Sequence, residues 1–357
     1  MSQKPTASLP QIGTLWRTQQ LNELGLSSRA IGTLVRQGDL IRVRQGCYIR
    51  RAAWEKQPED VRGKQLIHAH AHGTLTTSTG GYVYSHTSAA RLHGLFLWNV
   101  DQLIHVTLPT NPSSERLGKD VRGHKLRLTR CQITTVEFLQ VTDLERTVVD
   151  CAKTLNYRQA LIIMDHALRL GADKPLMQAH ASTLSGRRGC RTLQRCLANA
   201  DPHSESPGET LCRELLMRLK LPMPEAQVEV QTRIGRHRLD FAWKKEKVAL
   251  EFDGEVKYFK YARTDRVIFE ERRREKALVE DGWFFIRVEW KDLFQEQEFK
   301  ARVLKALGTW HGPGVLRESC VSLVFENAGL REHAGAARGR RAFPAISYSS
   351  RVLGVLR

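Results

Sequence analysis

The 357-residue chain is 41% hydrophobic and 26% charged, so most of it is expected to be globular rather than disordered, with room for two or three domains. Its 56 Lys and Arg against 38 Asp and Glu leave +18, which favours nucleic acid over an anionic membrane as partner, although a generally basic proteome gives the same surplus. No apolar run approaches a membrane span. The opening MSQKPTASLPQ lacks a secretory apolar segment, and the seven cysteines contain no CxxC pair, so the expectation is a cytoplasmic protein with free thiols and no cysteine-based zinc site.

Residues 14–50 predict helix, helix and a small ribbon. Thr18 can cap TQQLNELG, which stops at Gly25, and Ser27 or Ser28 can cap SSRAIGTLVRQG, in which Ile31, Leu34 and Val35 form the buried stripe and Gly38 the stop. DLIRVRQGCYIRR then alternates around a turn at Gln45-Gly46. Two short helices and a basic ribbon fit a winged helix-turn-helix over residues 10–52, whose second helix enters the major groove while the ribbon follows phosphates. Arg29, Thr33, Arg36 and Gln37 would face DNA, with Arg42 and Arg44 on the wing. The alternative is a helical hairpin with a solvated basic face.

Residues 60–200 predict a middle α/β domain. LIHVTLP (103–109) and KLRLTRC (125–131) have strand patterns, and 141–155 and 158–170 are amphipathic helices. Leu144, Val148 and Cys151 share a face of the first helix, and Ala160, Ile163, Ala167 and Leu170 a face of the second. His68, His70 and His72 would share a face only on a strand, and no carboxylate lies nearby in sequence, so a metal site there is disfavoured. YSHTSAARLHG (84–94) holds Ser and His without an orienting third group, which disfavours a catalytic triad.

SHTSAARLHGL, IHVTLP, and VTDLERTVVDCA with the following MDHALRLG, taken with the first 50 residues, resemble the DNA-binding antitoxins of type IV (abortive-infection) toxin–antitoxin systems across roughly residues 10–175. The resemblance implies a winged helix and an α/β domain used in autoregulation or against a nucleotidyltransferase toxin in phage defence. Such domains also occur in other proteins.

Residues 206–290 carry the clearest pattern. SPGETLCRELLMRLKL predicts a helix with Ser206 as N-cap, Pro207 at the first position, Glu209 completing a capping box, and Leu211, Leu215 and Leu219 inward. After PMPEA come a strand QVEVQTRI, a hairpin over 237–254, a basic helix ending at Gly282, the strand WFFIRVEW and a closing helix, in the order αβββαβ plus α. A turn at KKEK pairs Lys244 with Lys247 and so places Asp240 opposite Glu251. Alternation puts Leu239, Phe241, Trp243, Val248, Leu250 and Phe252 on an apolar face, and Arg238, Asp240, Ala249, Glu251 and Asp253 on the other. Facing carboxylates repel, so either a hard cation such as Mg²⁺, with Lys257 near an attacking water, or arginines must compensate them. Arg238 and the basic stretch 271–276 are the bland source of that compensation, and Arg272, Arg273 and Arg274 could equally cover a solvent face.

LDFAW, LEFDGEVKY, ERRREKAL, GW and IRVEW resemble the very-short-patch-repair-like branch of the PD-(D/E)XK endonucleases over roughly residues 205–307. The resemblance implies that Asp240 and Glu251 hold Mg²⁺ (or Mn²⁺), that Glu209 is the helix acid, and that Lys257 stands in for the motif's lysine. Asp253 occupies the position where that lysine is expected, which leaves cleavage open.

The expected fold class is therefore α/β multidomain: a winged helix-turn-helix, a middle domain over 60–200 and a restriction-endonuclease-like core over 205–308. Residues 312–357, rich in Gly, Ala and Arg without a sustained period, are expected to be poorly ordered. The expected function is DNA binding with metal-dependent cleavage. The alternative is a repressor or antitoxin on an inactive nuclease fold, with double-stranded DNA and a cognate toxin as partners.

Overall fold

The computed structural model describes residues 15–74, 81–110, 117–183, 188–254 and 265–308. Lys257 and the tail lie outside the described residues.

The first helices, α1 (Thr18–Glu23) and α2 (Ser28–Gln37), bury Leu21, Leu26, Ile31 and Leu34 against Trp16 and Leu40. Ser27 caps α2 by accepting from the Ala30 N–H at 3.3 Å, and Gly38, at φ +82°, ends it. Thr18 is not the cap of α1. Arg17 holds that position and donates its N–H to Gln20 Oε1, while the Thr18 hydroxyl reaches the Gly46 carbonyl instead. Strands β1 (Trp16–Arg17), β2 (Leu40–Arg44) and β3 (Cys47–Arg50) form an antiparallel sheet in the order β1-β3-β2, which ties the ribbon to the helices.

Helices α3 (Arg51–Lys56) and α4 (Glu59–Thr74) lead into a five-stranded mixed sheet of β4 (Val83–Tyr84), β5 (Ile104–Leu108), β6 (Val121–Lys125), β7 (Ile133–Val136) and β8 (Leu139–Thr142), ordered β6-β5-β4-β8-β7. The expected strand at 125–131 is displaced. The pairing partner of β5 is VRGHK, and after the Leu126 N–H bonds the Leu108 carbonyl the chain leaves the sheet despite its continuing alternation. Helix α5 (His86–Leu92) crosses this sheet. Next come α6 (Leu144–Thr154), capped by Asp143, and α7 (Tyr157–Arg169), capped by Asn156 in a capping box. With α8 (Lys174–Ser182) and α9 (Cys190–Asn199) they bury Val148, Cys151, Ala160, Ile163 and Ala167. Leu170 belongs outside that stripe: it follows the last turn of α7 and is 53% exposed.

The last layer runs α10 (Pro207–Arg218), β9 (Glu225–Thr232), β10 (Gly235–Trp243), β11 (Val248–Phe252), α11 (Asp265–Glu280), β12 (Phe284–Val288) and α12 (Glu296–Gly308). Its sheet is ordered β12-β11-β10-β9, with β12 parallel to β11. Phe241 pairs with Leu250 and Trp243 with Val248, and the Lys247 N–H meets the Lys244 carbonyl, so the hairpin register is the one predicted from the KKEK turn. One face of the sheet packs Phe241, Leu250, Phe252 and Ile286 against α10 and α12. The other is not an open carboxylate face: Ala242 and Ala249 pack against Leu278 of α11 and Trp283, because a central strand with a parallel neighbour is covered on both sides. Leu239 sits with Ala242 and Ala249 rather than with Phe241. Strict alternation breaks at Asp240, opposite Gln227, whose φ is +51°.

No helix among the described residues is long and apolar enough to cross a membrane.

Candidate nucleic-acid interface and acidic cluster

The stripe of α2 that buries Ile31 and Leu34 turns Arg29, Arg36 and Gln37 outward, with Thr33 half-buried between them. Ser27, Arg29, Ala30, Thr33, Leu34 and Gln37 line an open groove of about 330 Å³. The Thr33 hydroxyl donates to the Arg29 carbonyl at 3.0 Å and accepts from the Arg36 guanidinium at 3.1 Å, which holds Arg36 along the helix. Arg29, Arg36 and the exposed Arg42 of β2 make no ion pair among the described residues. Arg44 differs, because its guanidinium is bound to Asp120 at 2.6 Å.

Of the sequence-predicted acids, Asp240 bears electrostatically on both Glu209 and Glu251, but the three do not form a group with oxygens within 4.8 Å of one another. Asp240 lies where the alternation breaks, and its Oδ2 accepts the Phe252 N–H at 3.0 Å, standing in for a backbone carbonyl between the two strands. Its charge is felt by both other acids: burial and then Asp240 raise Glu209, while burial raises Glu251 with Asp240 and Asp253 adding to it. Ser206 caps the helix by accepting the Glu209 N–H at 3.2 Å, but the expected capping box is incomplete. The Glu209 carboxylate accepts from Ser206 Oγ at 2.8 Å, the Glu205 N–H at 2.9 Å and Gln227 Nε2 at 3.0 Å, and not from the Ser206 N–H.

Arginines compensate Glu251: Arg274 from the basic stretch 271–276, as expected, and Arg287 of β12, which the sequence did not single out. Oε1 accepts from Arg274 at 2.7 Å and Oε2 pairs with Arg287 at 2.7 Å. Arg287 also reaches Asp253 at 3.3 Å, so the acid at the lysine position joins the same network. Arg272 and Arg273 face solvent as expected of a charge run. Arg238 pairs with Glu205 at 2.6 Å, so its guanidinium is engaged away from the hairpin carboxylates. The space between Glu251, Glu271, Arg274, Glu275 and Arg287 has no volume that admits a water. A hard divalent ion needs carboxylate oxygens and several waters, for which this arginine side of Glu251 has no room; Asp240 and Glu209 do not line that space.

The histidine run 68–72 disperses because it lies on α4. His68 bonds Glu137 at 2.7 Å, His70 is buried against the Tyr84 hydroxyl at 2.8 Å, and His72 accepts from Arg17 at 2.6 Å. Sequence reasoning passed over another set, His86, His105 and His124, on three separate elements. Periodicity within one element gives no sign of it.

No protein-family model matches the chain. It is 27% identical over 164 residues to the uncharacterized proteins MT2308 and Rv2248 from two Mycobacterium tuberculosis strains, a stretch covering 45% of this chain. The match spans 59% of the length of those relatives. A solved structure, the RV2827C protein from Mycobacterium tuberculosis, superposes with a TM-score of 0.34 at 16% identity, covering 61% of this chain and 83% of that one.

Proposed function

We propose that the chain is a DNA-binding regulator: residues 10–52 act as a winged helix-turn-helix, with α2 in the major groove and β2–β3 along phosphates, and residues 205–308 are a nuclease-like scaffold. The observation that supports this best is the trio Arg29, Arg36 and Arg42, without ion pairs among the described residues, on one helix and the adjoining ribbon of a chain carrying +18. Thr33 and Gln37 sit between the arginines as candidates for base contact, and Arg44, tied to Asp120, sets the angle of the ribbon against the middle sheet. The resemblance to type IV antitoxins makes autoregulation the natural role and a cognate toxin a further partner.

A second reading, phosphodiester hydrolysis by residues 205–308, is favoured by Asp240 lying near enough to Glu209 and Glu251 to raise both. It requires Arg287 and Arg274 to withdraw from Glu251. A nicking assay on supercoiled plasmid with Mg²⁺ or Mn²⁺, run beside DNA-binding titrations, separates the two. Binding to the protein's own upstream DNA without cleavage is the expected result. Cleavage that disappears in Asp240→Ala and Glu251→Ala would establish the nuclease instead.

A further inference from the structure

His86 opens α5, His105 lies in β5 and His124 in β6, and one ring nitrogen from each falls within 4.8 Å of the others. Among the described residues this is the one such group of three ligand-type side chains. His105 Nδ1 and His124 Nε2 share a hydrogen bond at 3.0 Å, whose proton an ion would displace. Two imidazole nitrogens on one tetrahedral zinc are about 3.3 Å apart for zinc–nitrogen bonds of about 2.0–2.1 Å, so this pair already has nearly the required spacing. His86 stacks on His124 with ring centroids 3.6 Å apart.

The outer atoms of the rings follow the pattern of a built site. His105 is 4% exposed, and its Nε2 has no hydrogen-bond partner, yet it points towards Asp101 Oδ1 at 3.7 Å. A carboxylate there favours the tautomer with the proton on Nε2, leaving the Nδ1 lone pair turned to His124. His86 Nδ1 meets Ser85 Oγ at 2.9 Å, and that hydroxyl accepts from Thr107 at 2.8 Å, so Nε2 is the nitrogen left for a ligand role. His86 also takes φ +51°, a costly conformation for a residue with a side chain, and one that surrounding structure must enforce. Asp101 faces His105 and Asp150 faces His124, against Arg122 and Lys153, while Arg146 and Lys153 act on His86.

We propose that His86 Nε2, His105 Nδ1 and His124 Nε2 form a binding site for one divalent transition ion of the zinc type, with Asp101 and Ser85 orienting the rings. Three imidazoles suit zinc or cobalt and not magnesium or calcium, which take oxygen. The three rings lie within 36° of parallel and an ion binds in the plane of each imidazole, so uptake requires His86 to rotate out of its stack on His124 until the lone pairs converge. The fourth tetrahedral position remains for water or an incoming donor. The site is separate from the Glu251 network and independent of the reading given to residues 205–308.

The experiment uses the untagged full chain, stripped with chelator and titrated with Co²⁺, read by visible ligand-field absorption and by metal content. The expected result is one Co²⁺ per chain, with the bands lost in His105→Gln and His124→Gln and kept in Asp240→Ala and Glu251→Ala. His124 is the least buried of the three, so His124→Gln serves if His105→Gln fails to fold. Asp101→Asn should weaken binding by roughly tenfold or more, the usual cost of losing a carboxylate behind a ligating histidine. In the wild-type chain Co²⁺ should displace the ring-proton NMR signals of three histidines. No uptake by the wild type, fewer than three displaced rings, or uptake unchanged in folded His124→Gln would each overturn the proposal.

Discussion

At the scale of single residues, Arg287 holds together an arrangement that would otherwise repel itself. It bridges Glu251 and Asp253, and Glu251, with a side chain 7% exposed, has its other oxygen on Arg274. Removing one partner of a buried pair leaves an uncompensated charge, so Arg287→Ala should cost roughly 3 kcal/mol in denaturant unfolding. Pairing it with Glu251→Gln should recover part of that loss. If Arg287→Ala unfolded at the wild-type midpoint, the network would contribute nothing to stability. His70 makes a different residue-level prediction. Burial chiefly, with Arg44 adding to it and Asp120 opposing, lowers its pKa to about 4, against 6.5 for the free imidazole. The unfolded chain therefore takes up a proton that the folded chain refuses. The full stability is present above pH 6.5 and is lost as pH falls from there to about 4, by up to about 3 kcal/mol. The melting temperature should fall less steeply over that window in His70→Gln than in the wild type.

At the scale of elements, α10 lies close against β11 because Gly208 has no side chain. A Cβ there would fall 2.0 Å from the Phe252 ring. Gly208→Ala should therefore destabilise by about 1–3 kcal/mol, and Phe252→Leu in the same chain should relieve part of it, as measured by thermal unfolding. The pairing of this layer was legible in the sequence, since KKEK between two alternating runs admits one symmetric register and Ser206-Pro207 announces the helix. The position of Leu239 was not, because the break at Asp240 depends on the left-handed backbone of Gln227 on a neighbouring strand. Likewise VRGHK hid as a strand: Gly123 and three basic side chains mask a segment whose pairing comes from its parallel neighbour, β5. The acids Glu209, Asp240 and Glu251 could be named from their motifs, but the arginines that neutralise Glu251 come from α11 and β12, and only the folded chain selects Arg274 and Arg287 from the many basic residues. His86, His105 and His124 were illegible for the same reason, being separated along the chain by helix, loop and strand.

At the scale of the whole molecule, the proposed DNA binding turns the positive surplus into a salt dependence. Every phosphate that goes without its arginine lowers the slope of log affinity against log salt by about 0.9, so Arg29→Ala, Arg36→Ala and Arg42→Ala together should flatten it by roughly 2.7. Affinity measured across a salt series reads this directly, and an unchanged slope would remove α2 and the ribbon from the interface.

The layers that follow that interface are joined by more than covalent chain. Ile162 of α7 lies in the core of the last layer, and Asp165, one turn on, is 1% exposed. Asp165 accepts from the Asp201 N–H at 2.9 Å, Thr210 Oγ1 at 2.8 Å and Arg213 at 2.6 Å, so α10 is anchored on α7 by a buried charge. Severing the chain near residue 204 would strand a carboxylate on one fragment and a guanidinium on the other. The last layer is thus a poor cassette for shuffling: borrowed alone, it would carry a half-finished core.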